Sequence, residues 1–249
     1  MRLIQATCTL IIVFLASVPS VWATEQNAVI TGYAYARSSN TLLYTENHKV
    51  RLNGDAIIEH KTEYKDAQGN VIASKWLDYS QHRFAPAFEL LDLRDGYIEG
   101  ARYEADKYAM YSRKDAEAKM EHGMAKPTAT FVSDSGFDLY VRAKMPELLR
   151  GKTQQFDMAV PSVQKVLSFE AIVLEQTQLF ARPAIYIKVQ PATLLRLLVD
   201  SIYLTYDTET GELLRYEGLT NIRDKTGNRH DARIDFPPEQ QQYGNVSKR

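Results

Sequence analysis

Ser135–Pro161, SGFDLYVRAKMPELLRGKTQQFDMAVP, carries the clearest helix signal in the chain and stands between two long runs that read as strands. Ser135 is a residue type that caps a helix N-terminus, and Asp138 three positions on can reach back to the capping amide. Phe137, Val141, Met145 and Leu148 fall at i, i+4, i+8 and i+11, a single apolar stripe. Proline has no amide N–H and clashes with the preceding turn, so Pro146 predicts a kink or a break into two short helices. Gly151, directly after Arg150, is a C-terminal stop. A helix with one apolar face needs a second layer to bury it, and the flanking runs offer a sheet.

Outward from this stretch the dominant period is two. Val29–Arg37, Leu42–Leu52 and Ala56–Tyr64 are rich in Tyr, Val, Ile and Leu, and Val71–Tyr79 returns after the turn Asp66–Asn70 as the arm of a hairpin. Phe88–Leu93 and Tyr97–Tyr103 make a second hairpin around Arg94-Asp95-Gly96. Tyr108–Arg113 reads as a strand, and Lys114–His122 as a short polar helix or a loop. Beyond the central helix, Thr153–Val160, Lys165–Glu175 and Pro183–Gln190 alternate again. Pro191–Val199 changes period, and Leu194, Leu195, Leu197 and Leu198 suit a short helix with Pro191 in its first turn. Ser201–Asp207 and Glu212–Ile222 form a hairpin around Thr208–Gly211, Ala232–Phe236 is a last strand, and Pro237-Pro238 ends it. The expectation is a mainly β (α+β) fold of about ten strands, antiparallel because βαβ alternation is missing, with two or three short helices. Residues 24–238 read as one domain and 239–249 as a disordered tail.

The ends bear on location. Arg2, the apolar run Leu10–Val18 and Val21-Trp22-Ala23 have the order of a secretory signal, with cleavage expected after Ala23. The run is shorter than the roughly 20 residues a membrane span needs, so no transmembrane segment is expected in the mature chain. Removing it removes Cys8, the only cysteine, and leaves no disulfide, thiol nucleophile or thiolate metal site. A disulfide-free exported protein suits a bacterial periplasm. The formal charge moves from −1 to −2, which gives no electrostatic case for nucleic acid.

The hairpin IYLTYDTETGELLRYEGLTNIRD (Ile202–Asp224) followed by ARIDF (Ala232–Phe236) resembles the ending of the lipoprotein-carrier-like fold. That superfamily groups the periplasmic lipoprotein carrier, its outer-membrane receptor and many uncharacterised envelope proteins. GFDLYVRAKMPELLRGKTQQFDMAVPS (Gly136–Ser162) is similar to a segment of uncharacterised secreted proteobacterial proteins, which typically have an aromatic where Met145 stands. The resemblance implies a strongly curved, incompletely closed antiparallel β-barrel with helices across its open side, sometimes around an apolar cavity. It brings no catalytic residues with it, and the carrier's own cargo does not follow from the fold.

Chemistry-bearing patterns are sparse. His48, His60, His82, His122 and His230 show no metal-ligand spacing and read as surface or satisfied strand histidines, with no metal or cofactor expected. Nucleophile-elbow and phosphate-loop patterns are missing. The clusters Asp92/Asp95/Glu99 and Asp207/Glu209/Glu212 flank turns, where carboxylates ordinarily cap backbone amides. Fifteen tyrosines, many in strands, fit a pleated surface and equally the wall of an amphipathic cavity. The residues expected to line such a cavity are Phe137, Val141, Met145 and Leu148 on the helix, and Phe169, Ile187, Tyr206 and Tyr216 on strands. The leading expectation is a periplasmic, non-enzymatic protein that binds an apolar or lipidic ligand, or an envelope partner. An interaction module without a small ligand and an unrecognised hydrolase are the alternatives.

Overall fold

The computed structural model describes residues 25–54, 56–133, 136–193 and 200–243. The stretch expected to be a leader (1–23) and the leucine-rich stretch expected to be helical (194–199) lie outside the described residues, as does Ser135.

The first half of the chain is a run of hairpins: β1 (Glu25–Ala36), β2 (Leu42–Asn53), β3 (Ala56–Asp66), β4 (Val71–Asp78), β5 (Ala87–Asp92), β6 (Ile98–Glu104), β7 (Lys107–Arg113) and β8 (Glu121–Ala125). A three-residue strand, β9 (Phe131–Ser133), leads into helices α1 (Gly136–Ala143) and α2 (Met145–Leu149). Then follow β10 (Gln154–Val160), β11 (Lys165–Leu179), β12 (Arg182–Pro191), β13 (Ile202–Asp207), β14 (Leu213–Arg223), β15 (Arg229–Asp235) and the two-residue β16 (Gln242–Tyr243). The expected helix is two helices that break at Lys144, with Pro146 in the first turn of α2, where its missing N–H leaves no bond unmade. Gly151 ends α2 with φ +74°, and its N–H donates to Leu148 O at 2.8 Å.

The strands form one sheet in the order β8-β7-β6-β5-β4-β3-β2-β1-β15-β14-β13-β12-β11-β10-β9, with β16 paired to β1. Fifteen strands on one path replace the ten or so expected. Two of those missed are short: β8 reads EHGMA, with no β-branched residue, and β9 has three residues. All described pairings are antiparallel except β9 with β10, which are parallel and joined through α1 and α2. Beyond Pro237, where a tail is expected from 239, the chain stays attached to β1. The Gln241 amide donates to Thr31 O at 3.1 Å and accepts from Thr31 N–H at 2.8 Å, so a side chain continues the ladder.

Connectivity forces the sheet to curl. β8 and β9 are its two edges, yet only residues 126–130 separate them in sequence. Six Cα steps reach about 20 Å, whereas the edges of a flat fifteen-stranded sheet would lie about 65 Å apart. The edges accordingly approach each other: β8 touches β11, and the turn Pro161–Val163 touches β6 and β7. Gln164 Nε2 donates to Ser112 Oγ on β7 at 2.6 Å. A backbone ladder is not among these contacts, and the barrel is not closed.

Three apolar clusters fill the concave side. One sits under α1 and α2 against β10–β13 and includes Val141, Leu148, Phe156, Ile187 and Leu204. A second joins Leu77, Phe88, Tyr108, Met110 and Phe131. A third joins Tyr44, Tyr64, Leu90, Ile222 and Ile234.

Candidate functional site

Between the apolar clusters runs a row of polar side chains that follows from strand register. On the inner face His48 of β2 pairs with Thr62 of β3, Thr62 with Lys75 of β4, Lys75 with Leu90 of β5, Leu90 with Glu99 of β6, and Glu99 with Ser112 of β7. His60 sits diagonally from His48, two residues from Thr62, within reach across the pleat.

Hydrogen bonding fixes the tautomers. Glu46 Oε2 accepts a hydrogen bond from His48 Nε2–H at 3.0 Å. His48 Nδ1 is therefore an acceptor, receiving His60 Nε2–H at 2.9 Å and the Thr62 hydroxyl at 3.0 Å. Carboxylate, imidazole and hydroxyl stand in the order of a nucleophile triad. Thr62, however, is only 2% exposed, so an acyl carbon has no place beside its oxygen, and the arrangement serves as a polar tie between β2 and β3. Two imidazole nitrogens and a hydroxyl converge there; no group of three His, Cys, Asp or Glu side chains suited to a metal occurs among the described residues.

Burial sets the electrostatics. Lys75 is buried, and desolvation lowers its pKa to about 8 against the opposing pull of Glu99 and Glu46. Burial also holds His60 well below the usual histidine range, reinforced by His48, Lys75 and Arg142. Glu99 accepts the Tyr97 hydroxyl at 2.8 Å and lies 3.7 Å from Arg229.

Helix α1 completes the site from above. Asp138 Oδ1 accepts the Tyr206 hydroxyl at 2.8 Å, and Asp138 Oδ2 lies 3.0 Å from Arg142 Nε. The capping role expected of Asp138 would involve Ser135, outside the described residues; its carboxylate instead serves β13 and Arg142. Desolvation is the largest single influence on Arg142 and works against its charge, but Asp138, Tyr206 and Glu212 together raise its pKa and keep it a cation.

Several of these side chains are partly open to solvent although protein surrounds them. Arg142, His60 and Tyr216 lie deep within the curl, surrounded by protein. All three nevertheless keep solvent-accessible surface, and for the Arg142 side chain it is 34%.

The eight residues expected to line a cavity all meet in or against the cluster under α1 and α2. Val141, Met145, Leu148, Ile187 and Tyr206 are buried in its packing. Phe137, Phe169 and Tyr216 retain surface. Phe156 links them, stacked on Phe137 at 6.3 Å and on Phe169 at 6.0 Å. Glu46, Lys75 and Arg142 had no place in the sequence expectation, which read His48 and His60 as surface or satisfied strand histidines. A β2–β3 hairpin with residues 48 and 62 opposed would have put His48 and His60 on one face; no local spacing announces Arg142. The aspartates of the acidic clusters act as expected at turns, Asp92, Asp95 and Asp207 each accepting backbone N–H groups two residues on, whereas Glu99 is buried and accepts the Tyr97 hydroxyl.

Two shallow depressions open on the outer face, of about 410 and 420 Å³, beside the exposed Arg37–Asp231 and Lys61–Glu59 ion pairs. Solvated pairs of this kind contribute little. No helix among the described residues is long and apolar enough to cross a membrane.

Neither a known family nor a curated protein matches this chain. Among solved structures, a beta-barrel-like protein of the domain of unknown function DUF1849 from Brucella abortus is similar in backbone course. Its identity is 11%, with 87% of this chain and 99% of that one covered at a TM-score of 0.48.

The desolvated His60 imidazole makes stability depend on pH. His60 is neutral in the folded state, while in the unfolded chain it takes up a proton near pH 6.5. Because its folded pKa is depressed, the stability it contributes is present above pH 6.5 and is lost as pH falls below that. Lys75 is protonated in both states in this window and adds no slope. The urea midpoint is expected to drop from pH 7 to pH 5, with His60 supplying up to about 1.4 kcal/mol per pH unit. The His60→Gln variant should lose that part of the slope; an identical slope in the variant would show that His60 titrates normally.

Proposed function

We propose that this protein is a periplasmic, non-enzymatic binding protein that holds an amphipathic lipid in the lumen of its curled sheet, in the manner of a lipoprotein-carrier-like fold. The observation that carries this reading is the coexistence, on one concave surface, of enclosed yet solvent-accessible polar side chains (Arg142, His60, Tyr216) with partly open aromatics (Phe137, Phe169). A surface apolar on one side and polar on the other matches a molecule built the same way. The leader-like N-terminus supports export, and α1 with α2 forms a cover over the apolar part.

Native mass spectrometry of gently purified protein, followed by organic extraction, tests the reading. A stoichiometric acyl species is the expected result, and its loss is expected in Phe169→Asp. Phe169 keeps surface, so a carboxylate there can be hydrated and the fold retained, as circular dichroism would verify. An empty wild-type protein, or undiminished lipid in a folded Phe169→Asp, would overturn the proposal and favour an interaction module.

A further inference from the structure

Arg142 is under-used by the fold. A guanidinium carries five N–H donors, and among the described residues its sole polar partner is Asp138. Even that contact is incomplete: Arg142 Nε lies 3.0 Å from Asp138 Oδ2, yet it makes no hydrogen bond. Asp138 is already engaged by the Tyr206 hydroxyl, and Glu212 acts on Arg142 through its charge without a hydrogen bond or ion pair to it. About a third of the Arg142 side chain is accessible, 34%, and on α1 it lies next to Val141 and one helical turn and a residue from Phe137.

We propose that Arg142 anchors the acidic head group of the bound amphiphile, a carboxylate or phosphate, with the chain running along Phe137 and Phe169. The inference rests on the lumen-binding reading above and adds the chemistry of the head group. Two oxygens on one centre match the guanidinium fork, which a hydroxyl cannot do. The head group would share Arg142 with Asp138, which keeps its bond to Tyr206.

Titration calorimetry on the full-length protein, with oleate, oleoyl lysophosphatidate and oleyl alcohol below their micelle concentrations, tests it. At least one acidic probe is expected to bind ten-fold or more tightly than the alcohol. Tighter oleate binding would indicate a free acid, and tighter lysophosphatidate binding a phospholipid. Arg142→Gln should abolish the preference while leaving alcohol binding in place, and Arg142→Lys should restore part of it. Equal binding of acid and alcohol by the wild type overturns the proposal, even were the variants not to fold, as does a preference that survives in Arg142→Gln. Binding of none of the three probes would overturn the lumen reading itself.

Discussion

Gly136→Ala is expected to destabilise the protein by about 3 kcal/mol or more, at the upper end of what overpacking costs. A Cβ at Gly136 would stand 2.1 Å from Phe84 O and 2.6 Å from Pro86 Cδ. Neither can retreat. Phe84 O accepts the Ser133 N–H at 3.0 Å, His82 Nδ1 accepts the N–H groups of Phe84 and Ala85, and Pro86 O accepts the Tyr108 hydroxyl. The new methyl group therefore displaces the start of α1, and with it the Asp138–Tyr206 bond and Arg142. Urea unfolding of the variant, together with limited proteolysis within 136–149, measures both consequences. A midpoint unchanged within about 0.5 kcal/mol would show that α1 does not dock against 84–86.

Ile187→Asp is expected to abolish the native state at 25 °C. Ile187 has no exposed surface, and on its face of β12 it is flanked by Val173 of β11 and Leu204 of β13. An ionised carboxylate there has no cation among these neighbours, and burying an unpaired charge ranks with the most destabilising single changes, above about 4 kcal/mol. Ile187→Val, which removes one methylene, should cost about 1 kcal/mol and keep cooperative unfolding. Near-UV circular dichroism through a urea titration separates the two, and a folded Ile187→Asp with a normal midpoint would contradict the core under α1 and α2. Phe169→Asp is the better probe of ligand binding, because Phe169, unlike Ile187, is only partly buried.

Several features are legible in the sequence because their causes are local. The break between α1 and α2 follows from the ring of Pro146, and the end of α2 from the positive φ of Gly151. The turns at Asp92–Gly96 and Asp207–Gly211 follow from carboxylates that cap amides two residues away and from glycines at φ +77° and +71°. Alternation placed most strands within a few residues. It failed at Glu121–Ala125 and Phe131–Ser133, which are too short or too polar to show a period and exist because neighbouring strands pair with them. Gln241 escaped for a related reason: a side-chain amide standing in for backbone is invisible to pattern.

The site divides the same way. The alternation of residues along β2, β3 and β4 by itself determined that Glu46 shares a face with His48, and His60 with Thr62, since successive side chains of a strand point to opposite faces. Amphipathic spacing likewise determined the face of α1 that carries Val141. Only the tertiary structure decided what those faces meet. Register across five strands set His48, Thr62, Lys75 and Glu99 in one row, and the curl brought α1 over it, so that Arg142 came within electrostatic reach of His60. The physical reason is range. Propensity, capping and pleat act over a few neighbouring residues, whereas the curl comes from linking two distant sheet edges through residues 126–130, and so depends on the whole sheet at once.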